Sequence, residues 1–384
     1  MLGVKGVRFT YLCSEDLTGL FESFRWMINE AIRMGLERKI TSRFRLIKAV
    51  YEDFKRLGLH THYILSACEV ACAILRNHRK HGRKPYVKKL MLKLDNQSYK
   101  LEGDMLRIPK ASREFVELKL KIRDYHKQFL EDSSLHRGSV VVTPNMAIIS
   151  FSKEAFITEP RRVLGIDINE RTVDLATEQG YLERIDIKAI PTIQHEYRVK
   201  RERIQRNICH NLRKTRRFLA KLKGRQTRRV EAVLHKVSKK IVEYAKQTKS
   251  AIVLEKLKGL RKNHRKGNRK GRALRGRLNS WNYGKLQKFI EYKAKWEGIL
   301  VIYVNPKGTS TSCSKCGCSG LKLIGRVVEC PRCGLILDRD INASINIAKR
   351  GWVALFSHNI QPNEAMKQLK DVEPSGLEVN SYQS

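Results

Sequence analysis

Cys313-x2-Cys316 and Cys330-x2-Cys333, separated by thirteen residues, bring four thiols together in two tight turns. Each C-x2-C turn aims two sulfurs at one point. Two such turns joined by a short hairpin complete the tetrahedral coordination that zinc prefers, so the predicted ion is a structural Zn2+ with no open position for a substrate. A rubredoxin-like iron and a fortuitous cysteine cluster are the alternative readings of this spacing. Cys318, beside the first pair, reads as a spare thiol. Soon after the second pair comes Asp338-Arg339-Asp340-Ile341-Asn342-Ala343, an acidic helix start. Two more carboxylates lie in apolar runs: Asp167 within Val163-Leu164-Gly165-Ile166-Asp167-Ile168, and Glu255 at the end of Ala251-Ile252-Val253-Leu254-Glu255. A buried carboxylate is costly unless its charge is compensated, and a bound cation is the obvious compensation. Asp167, Glu255 and Asp340, three hard oxygen ligands from separate elements, suit two Mg2+ ions about 4 Å apart, a pair able to activate water and stabilise a phosphodiester under attack. Any one of these acids alone reads as a salt-bridge partner or a turn cap. Together they point to phosphodiester hydrolysis.

The charge of the chain agrees with such a substrate. Its 384 residues allow two or three domains, and 78 Lys and Arg against 38 Asp and Glu give a formal charge of +40. A chain so basic repels itself unless it meets a polyanion, which makes nucleic acid the expected partner. Basic residues concentrate in Arg76 to Lys84 and in a Gly-rich run from Lys256 to Arg277 that contains no acid, read as a mobile loop contacting nucleic acid. No apolar run of about eighteen residues exists, and the N-terminus lacks the apolar core of a signal peptide, so no membrane role and a cytoplasmic location, nucleoid-associated in a prokaryote, are expected. Cys13, Cys68, Cys72 and Cys209 read as buried or idle thiols in a reducing compartment.

The elements that position these residues follow from periodicity. Leu17, Leu20, Phe21, Phe24, Ile28, Ala31 and Ile32 recur at helical steps after a Ser14 cap, and similar stripes run from Phe44 to Phe54 and from Ile64 to Leu75. From about Met91 the period becomes two, through Leu92, Leu94, Tyr99, Leu101, Leu106, Ile108 and Phe115. These short strands, with Ser139 to Val142, Ala147 to Phe151 and an N-terminal strand from Val4 to Leu12, are expected to close a β-barrel into which the helices are inserted. Residues 163–187 then read as three strands. They are followed by a basic helix with Tyr197, Ile204, Ile208, Leu212, Leu219 and Leu222 on one face, and by a second helix from Val230 to Ala245. The strand ending in Glu255, a helix around Leu286 to Trp296, a strand from Ile299 to Val304, the cysteine ribbon and the helix opened by Asp340 complete the order. An RNase H-like sheet collects acidic residues at these positions.

With those residues placed, the chain resembles TnpB, the transposon-encoded RNA-guided endonucleases related to type V CRISPR effectors. The resemblance rests on Gly165-Ile166-Asp167 with Ala176-Thr177 and Gly180; on Val253-Leu254-Glu255 with Leu257; on Tyr292-Lys293-Ala294; on Pro306 and Thr309-Ser310-x2-Cys313-Ser314-x-Cys316-Gly317; and on Cys330-Pro331-x-Cys333-Gly334 through Asp338-Arg339-Asp340-x-Asn342-Ala343 to Asn346-Ile347. It covers residues 163–351 closely and residues 1–155 in outline.

The resemblance implies a multidomain α/β protein. An RNase H-like (RuvC) nuclease domain would occupy 156–304 and 338–351, with an inserted zinc ribbon at 305–337. A wedge-like β-barrel would take 1–13 and 85–155 and a helical recognition insert 14–84; the tail 352–384 matches nothing in the family and is read, apart from the resemblance, as a disordered tail. The resemblance implies Asp167, Glu255 and Asp340 as magnesium ligands, with Asp340 fitting the helix-start position better than Asp338. It also implies a guide RNA from the transposon end and a double-stranded DNA target beside a short adjacent motif. A protein with much phosphate-binding charge and no base-reading module agrees with specificity delegated to RNA pairing. Asn169 departs from the glycine common after the first aspartate, and is expected to keep the turn because Asn tolerates left-handed backbone. A nuclease-inactive RNA-guided DNA-binding regulator and a DNA-binding transposase accessory protein are the rival readings.

Overall fold

The computed structural model describes residues 1–78, 82–207, 211–257 and 280–357, with 271 and 276. Cys209, most of the Lys256 to Arg277 run, the centre of the Arg76 to Lys84 patch and the tail from 358 lie outside these residues. The described residues divide into two compact units, one holding Val4–Lys153, the other Met1–Gly3 and the described residues after Lys153. Among the described residues no helix is long and apolar enough to cross a membrane.

The first unit contains strands β1 (Leu2–Phe9) and β2 (Tyr11–Leu12), helices α1 (Thr18–Glu37), α2 (Arg43–Lys55) and α3 (Thr61–Asn77), strands β3 (Leu92–Leu94), β4 (Lys100–Glu102), β5 (Met105–Ala111) and β6 (Glu114–Leu120), helix α4 (Asp124–Leu130), and strands β7 (His136–Thr143) and β8 (Met146–Glu154). The helices are inserted between β2 and β3, as their apolar stripes lead one to expect. The cap differs: α1 starts with Leu17 in the N-cap position, and Asp16 rather than Ser14 accepts the Thr18 amide at 2.9 Å. The barrel differs as well. The strands form two four-stranded sheets, β1-β8-β7-β3 and β2-β6-β5-β4, instead of one closed cylinder. The physical reason lies at Thr10, where the N-terminal strand leaves β8 and its last two residues pair with Leu120 and Lys119 of β6.

In the second unit, strands β9 (Arg162–Ile168), β10 (Thr172–Ala176) and β11 (Tyr181–Asp186) precede helices α5 (Ala189–Asn207) and α6 (Leu212–Gln247). Strand β12 (Ser250–Glu255), helix α7 (Tyr283–Trp296) and strand β13 (Val301–Val304) follow, then the short strands β14 (Lys322–Ile324), β15 (Val327–Glu329) and β16 (Ile336–Asp338), and helix α8 (Arg339–Trp352). The expected helix break between Leu222 and Val230 is not there. α6 runs unbroken for 36 residues, because the stretch from Lys223 to Arg229 lacks apolar residues but holds no proline to stop the helix.

One sheet of order β11-β10-β9-β12-β13 organises this unit, antiparallel from β11 to β9 and parallel from β9 to β13. Strand alternation gives it two different faces. Leu164, Ile166 and Ile168, with Val173 and Leu175, pack against Ile190, Ile193, Leu234, Ile241, Leu286 and Ile290 from α5, α6 and α7. The other residues of β9 and β12 face α8: Val163, Val253 and Val304 join Ile347 and Ala348 in a smaller core. Gly165 allows this approach, since a Cβ there would lie 2.4 Å from the Ala348 nitrogen and 2.5 Å from the Ser344 oxygen. The sheet is buried on both faces, which is why β9 and β12 read as nearly continuous apolar runs.

Candidate active site

The alternation that sends Leu164 and Ile166 to one side sends Asp167 to the α8 side. Gly165 and Val253 are partners in the parallel β9–β12 register. Two residues further on, Asp167 and Glu255 therefore emerge side by side from adjacent strands. Asp167 is 9% exposed and its carboxyl is pushed up to about 7, first by burial and then by the charges of Glu255, Asp340 and Asp174, against a lowering hydrogen bond from Asn169. Glu255 is also raised by burial, with Thr309 and Arg350 pulling the other way. Thr309 donates its hydroxyl to Glu255 Oε1 at 2.6 Å. Asp340 stands in the first turn of α8, raised by burial and opposed by Arg326, whose guanidinium pairs with it. Asp338 serves as the N-cap, its Oδ1 accepting the amides of Asp340 at 2.9 Å and Ile341 at 3.3 Å. The three acids predicted as ligands thus lie towards the α8 side of the sheet, where Asp167 feels the charges of both Glu255 and Asp340, although the carboxylate oxygens of the three do not all come within 4.8 Å of one another. Asn169 is not in left-handed backbone; its side-chain amide donates to Asp167 Oδ2 at 2.8 Å. The expected turn is kept, its backbone amide donating to the Thr172 carbonyl at 2.9 Å, but without left-handed backbone, and the side chain adds a direct contact with the acid.

The cysteines meet next to the start of α8. Cys313 and Cys333 sulfurs lie 3.6 Å apart, and those of Cys316 and Cys330 3.5 Å apart. A tetrahedral site with metal–sulfur bonds of about 2.3 Å needs sulfur–sulfur edges of roughly 3.8 Å, so this donor set fits a soft divalent metal. Among the described residues it is the one group of three or more His, Cys, Asp or Glu side chains whose ligand atoms all lie within 4.8 Å of each other. The local fold explains the convergence. In each turn the glycine after the second cysteine, Gly317 (φ +72°) or Gly334 (φ +67°), adopts left-handed backbone and returns its amide to the first cysteine's carbonyl, at 2.9 Å for Cys313 and 3.0 Å for Cys330. The amide of Cys333 holds the Cys330 thiol down, towards the thiolate that binds metal.

Asn342 and Asn346, one turn apart on α8, tie the cysteine turn to the acidic face. Fully buried Asn342 accepts the Ser314 amide at 2.8 Å and donates to the Ser312 carbonyl at 2.9 Å. Asn346 donates to the carbonyls of Thr309 at 2.8 Å and Ser312 at 2.7 Å. The loop that carries Cys313 is therefore the loop that carries Thr309 and steadies Glu255.

Sequence reasoning passed over a fourth carboxylate. Asp174 is fully buried on β10, directly opposite Asp167, and its Oδ1 accepts from Arg184 Nε at 2.7 Å. Arg184 also donates to Asp338 Oδ1 at 2.8 Å, linking the sheet to the cap of α8. The signal was present in Thr172-Val173-Asp174-Leu175-Ala176, an acid inside an apolar strand just as Asp167 is.

Residues 283–347 match the family described as Cas12f1-like, TNB domain, and residues 20–109 match the Uncharacterized protein MJ0013 family. TnpB-like protein MJ0751 of Methanocaldococcus jannaschii is 36% identical over 260 residues, which cover 66% of this chain and 92% of that protein. CRISPR-associated endodeoxyribonuclease Cas12f2 of a Micrarchaeota archaeon is 35% identical over 131 residues, 32% of this chain and 24% of its own length. Among solved structures, the Cas12f1-sgRNA-target DNA complex contains a chain of similar fold, with a TM-score of 0.54 over 86% of this chain and 82% of that one at 14% identity.

Proposed function

This chain belongs to the TnpB-like proteins, and from that premise we propose that it is an RNA-guided DNA endonuclease whose nuclease unit is an RNase H-like, RuvC-type domain. Asp167, Glu255 and Asp340 would hold Mg2+. Cys313, Cys316, Cys330 and Cys333 would hold a structural Zn2+. The observation that carries the reading is buried Asp167 set between half-buried Glu255 and Asp340, whose charges both act on it, in a chain of charge +40. Carboxylates so placed repel one another and fit a site built for cations, while the rest of the surface suits phosphate.

When bound, magnesium supplies Lewis-acid activation of water and of the scissile phosphodiester. The protein's own groups prepare for it. Asn169 fixes one oxygen of Asp167, Thr309 fixes one oxygen of Glu255, and the Asp338 cap sets the first turn of α8 from which Asp340 projects. A guide RNA from the transposon end would supply sequence recognition, with double-stranded DNA as the target and transposon maintenance as the role.

Purified particles carrying Asp167→Ala or Asp340→Ala test this directly. Cleavage of a guide-matched duplex in Mg2+ should disappear while the amount of bound RNA stays near that of the unmodified protein. Cutting by either variant would refute the site, and RNA binding without cutting by the unmodified protein would favour the regulator.

A further inference from the structure

Among the described residues, three buried side-chain polar atoms have no hydrogen-bond partner, and two of them, Thr172 Oγ1 and Asp174 Oδ2, belong to β10. They are two residues apart and so share a face of the strand. It is the Asp167 face, because Asp174 and Asp167 are register partners in the antiparallel β9–β10 pair. An unpartnered oxygen on a carboxylate with no exposed surface is expensive; native proteins keep such groups where something else binds them. Arg184 does not fill that need. It occupies Asp174 Oδ1 and divides its charge with Asp338, which fixes the plane of the carboxylate and leaves Oδ2 open. Asp174 also stands close enough for its charge to act on both Asp167 and Asp340.

We propose that Asp174 is a fourth carboxylate of the cation site, held by Arg184 so that Oδ2 faces the cation beside Asp167, with the Thr172 hydroxyl on the same side. The proposal rests on the reading of Asp167, Glu255 and Asp340 as a divalent-cation site. Oxygen ligands suit a hard cation such as Mg2+ or Mn2+.

The test is Mn2+ binding to the full-length protein, followed by calorimetry and by the rise in melting temperature that Mn2+ produces in each variant. The second readout compares each variant with itself and so is insensitive to its baseline stability. Asp174→Asn keeps an oxygen for Arg184 but replaces the free carboxylate oxygen with an amide. It should weaken Mn2+ binding by about ten- to hundredfold. Asp174→Glu keeps the charge and displaces the oxygen by one methylene, and should weaken binding less; if Asp174→Asn does not fold, unchanged affinity in Asp174→Glu overturns the proposal. Asp340→Ala is the control. Loss of binding in Asp340→Ala with normal binding in Asp174→Asn would remove Asp174 from the site and leave the proposed function standing. Normal binding in Asp340→Ala would undermine the cation site itself.

Discussion

At the scale of single residues, the acidic face behaves as a proton store when no cation is bound. The Asp167 carboxyl, raised to about 7, keeps its proton in the folded protein, whereas in an unfolded chain an aspartate releases it near about 3.9. The folded state therefore binds the extra proton. The stability this group contributes is complete below about pH 4 and is lost as pH rises through 7. Glu255 and Asp340 are shifted in the same direction. A cation held by Asp167 must displace its proton, so Mn2+ affinity should climb between pH 6 and about 7.5 and then level off. Titrations across that range check the sign, and affinity independent of pH would contradict it. Arg326, two-thirds exposed, pairs with Asp340 and would compete with a cation for it. Arg326→Gln should tighten Mn2+ binding severalfold in the same assay.

At the scale of elements, α8 is the part on which the site depends, and its packing can be tested without any substrate. A methyl group on Gly165 would meet the backbone of α8, which cannot turn aside as a flexible side chain can. Gly165→Ala should therefore cost about 3 kcal/mol or more in denaturant unfolding. Asn342→Ala would leave the buried Ser314 amide without its partner, while the Ser312 carbonyl keeps Asn346, a loss of roughly 1–3 kcal/mol. Because that contact joins the Cys313 loop to the helix carrying Asp340, Cys330→Ser should both remove zinc, measured by metal analysis, and lower the melting temperature of the unit. Zinc content unchanged in Cys330→Ser would refute the assigned ligand set.

At the scale of the whole molecule, the charge of +40 predicts binding that falls steeply with salt, by about a thousandfold or more between roughly 50 and 200 mM. A flat response in a filter-binding assay would show that the basic surface is not the nucleic-acid contact. Much of this architecture was legible in the chain because local patterns dictate it. The C-x2-C-G turns announce themselves, and the β9 and β12 runs can be nothing but buried strands. What the sequence does not carry is which strand lies beside which. The splitting of the N-terminal strand at Thr10 between two sheets is a tertiary outcome, and so is the pairing that sets Asp174 against Asp167. For the same reason Asp16 rather than Ser14 accepts the Thr18 amide ahead of α1, where Leu17 takes the N-cap position, an outcome that backbone geometry decides.

The central claim is guided cleavage. Its most direct test is to co-express the chain with the DNA that flanks its gene, purify the particle, sequence the RNA it retains, and offer it a library of duplexes matching that RNA in Mg2+. The account predicts one discrete RNA and cutting of matched duplexes beside a short fixed motif, abolished in Asp340→Ala. A discrete RNA without cutting, or cutting that ignores the match, would contradict it.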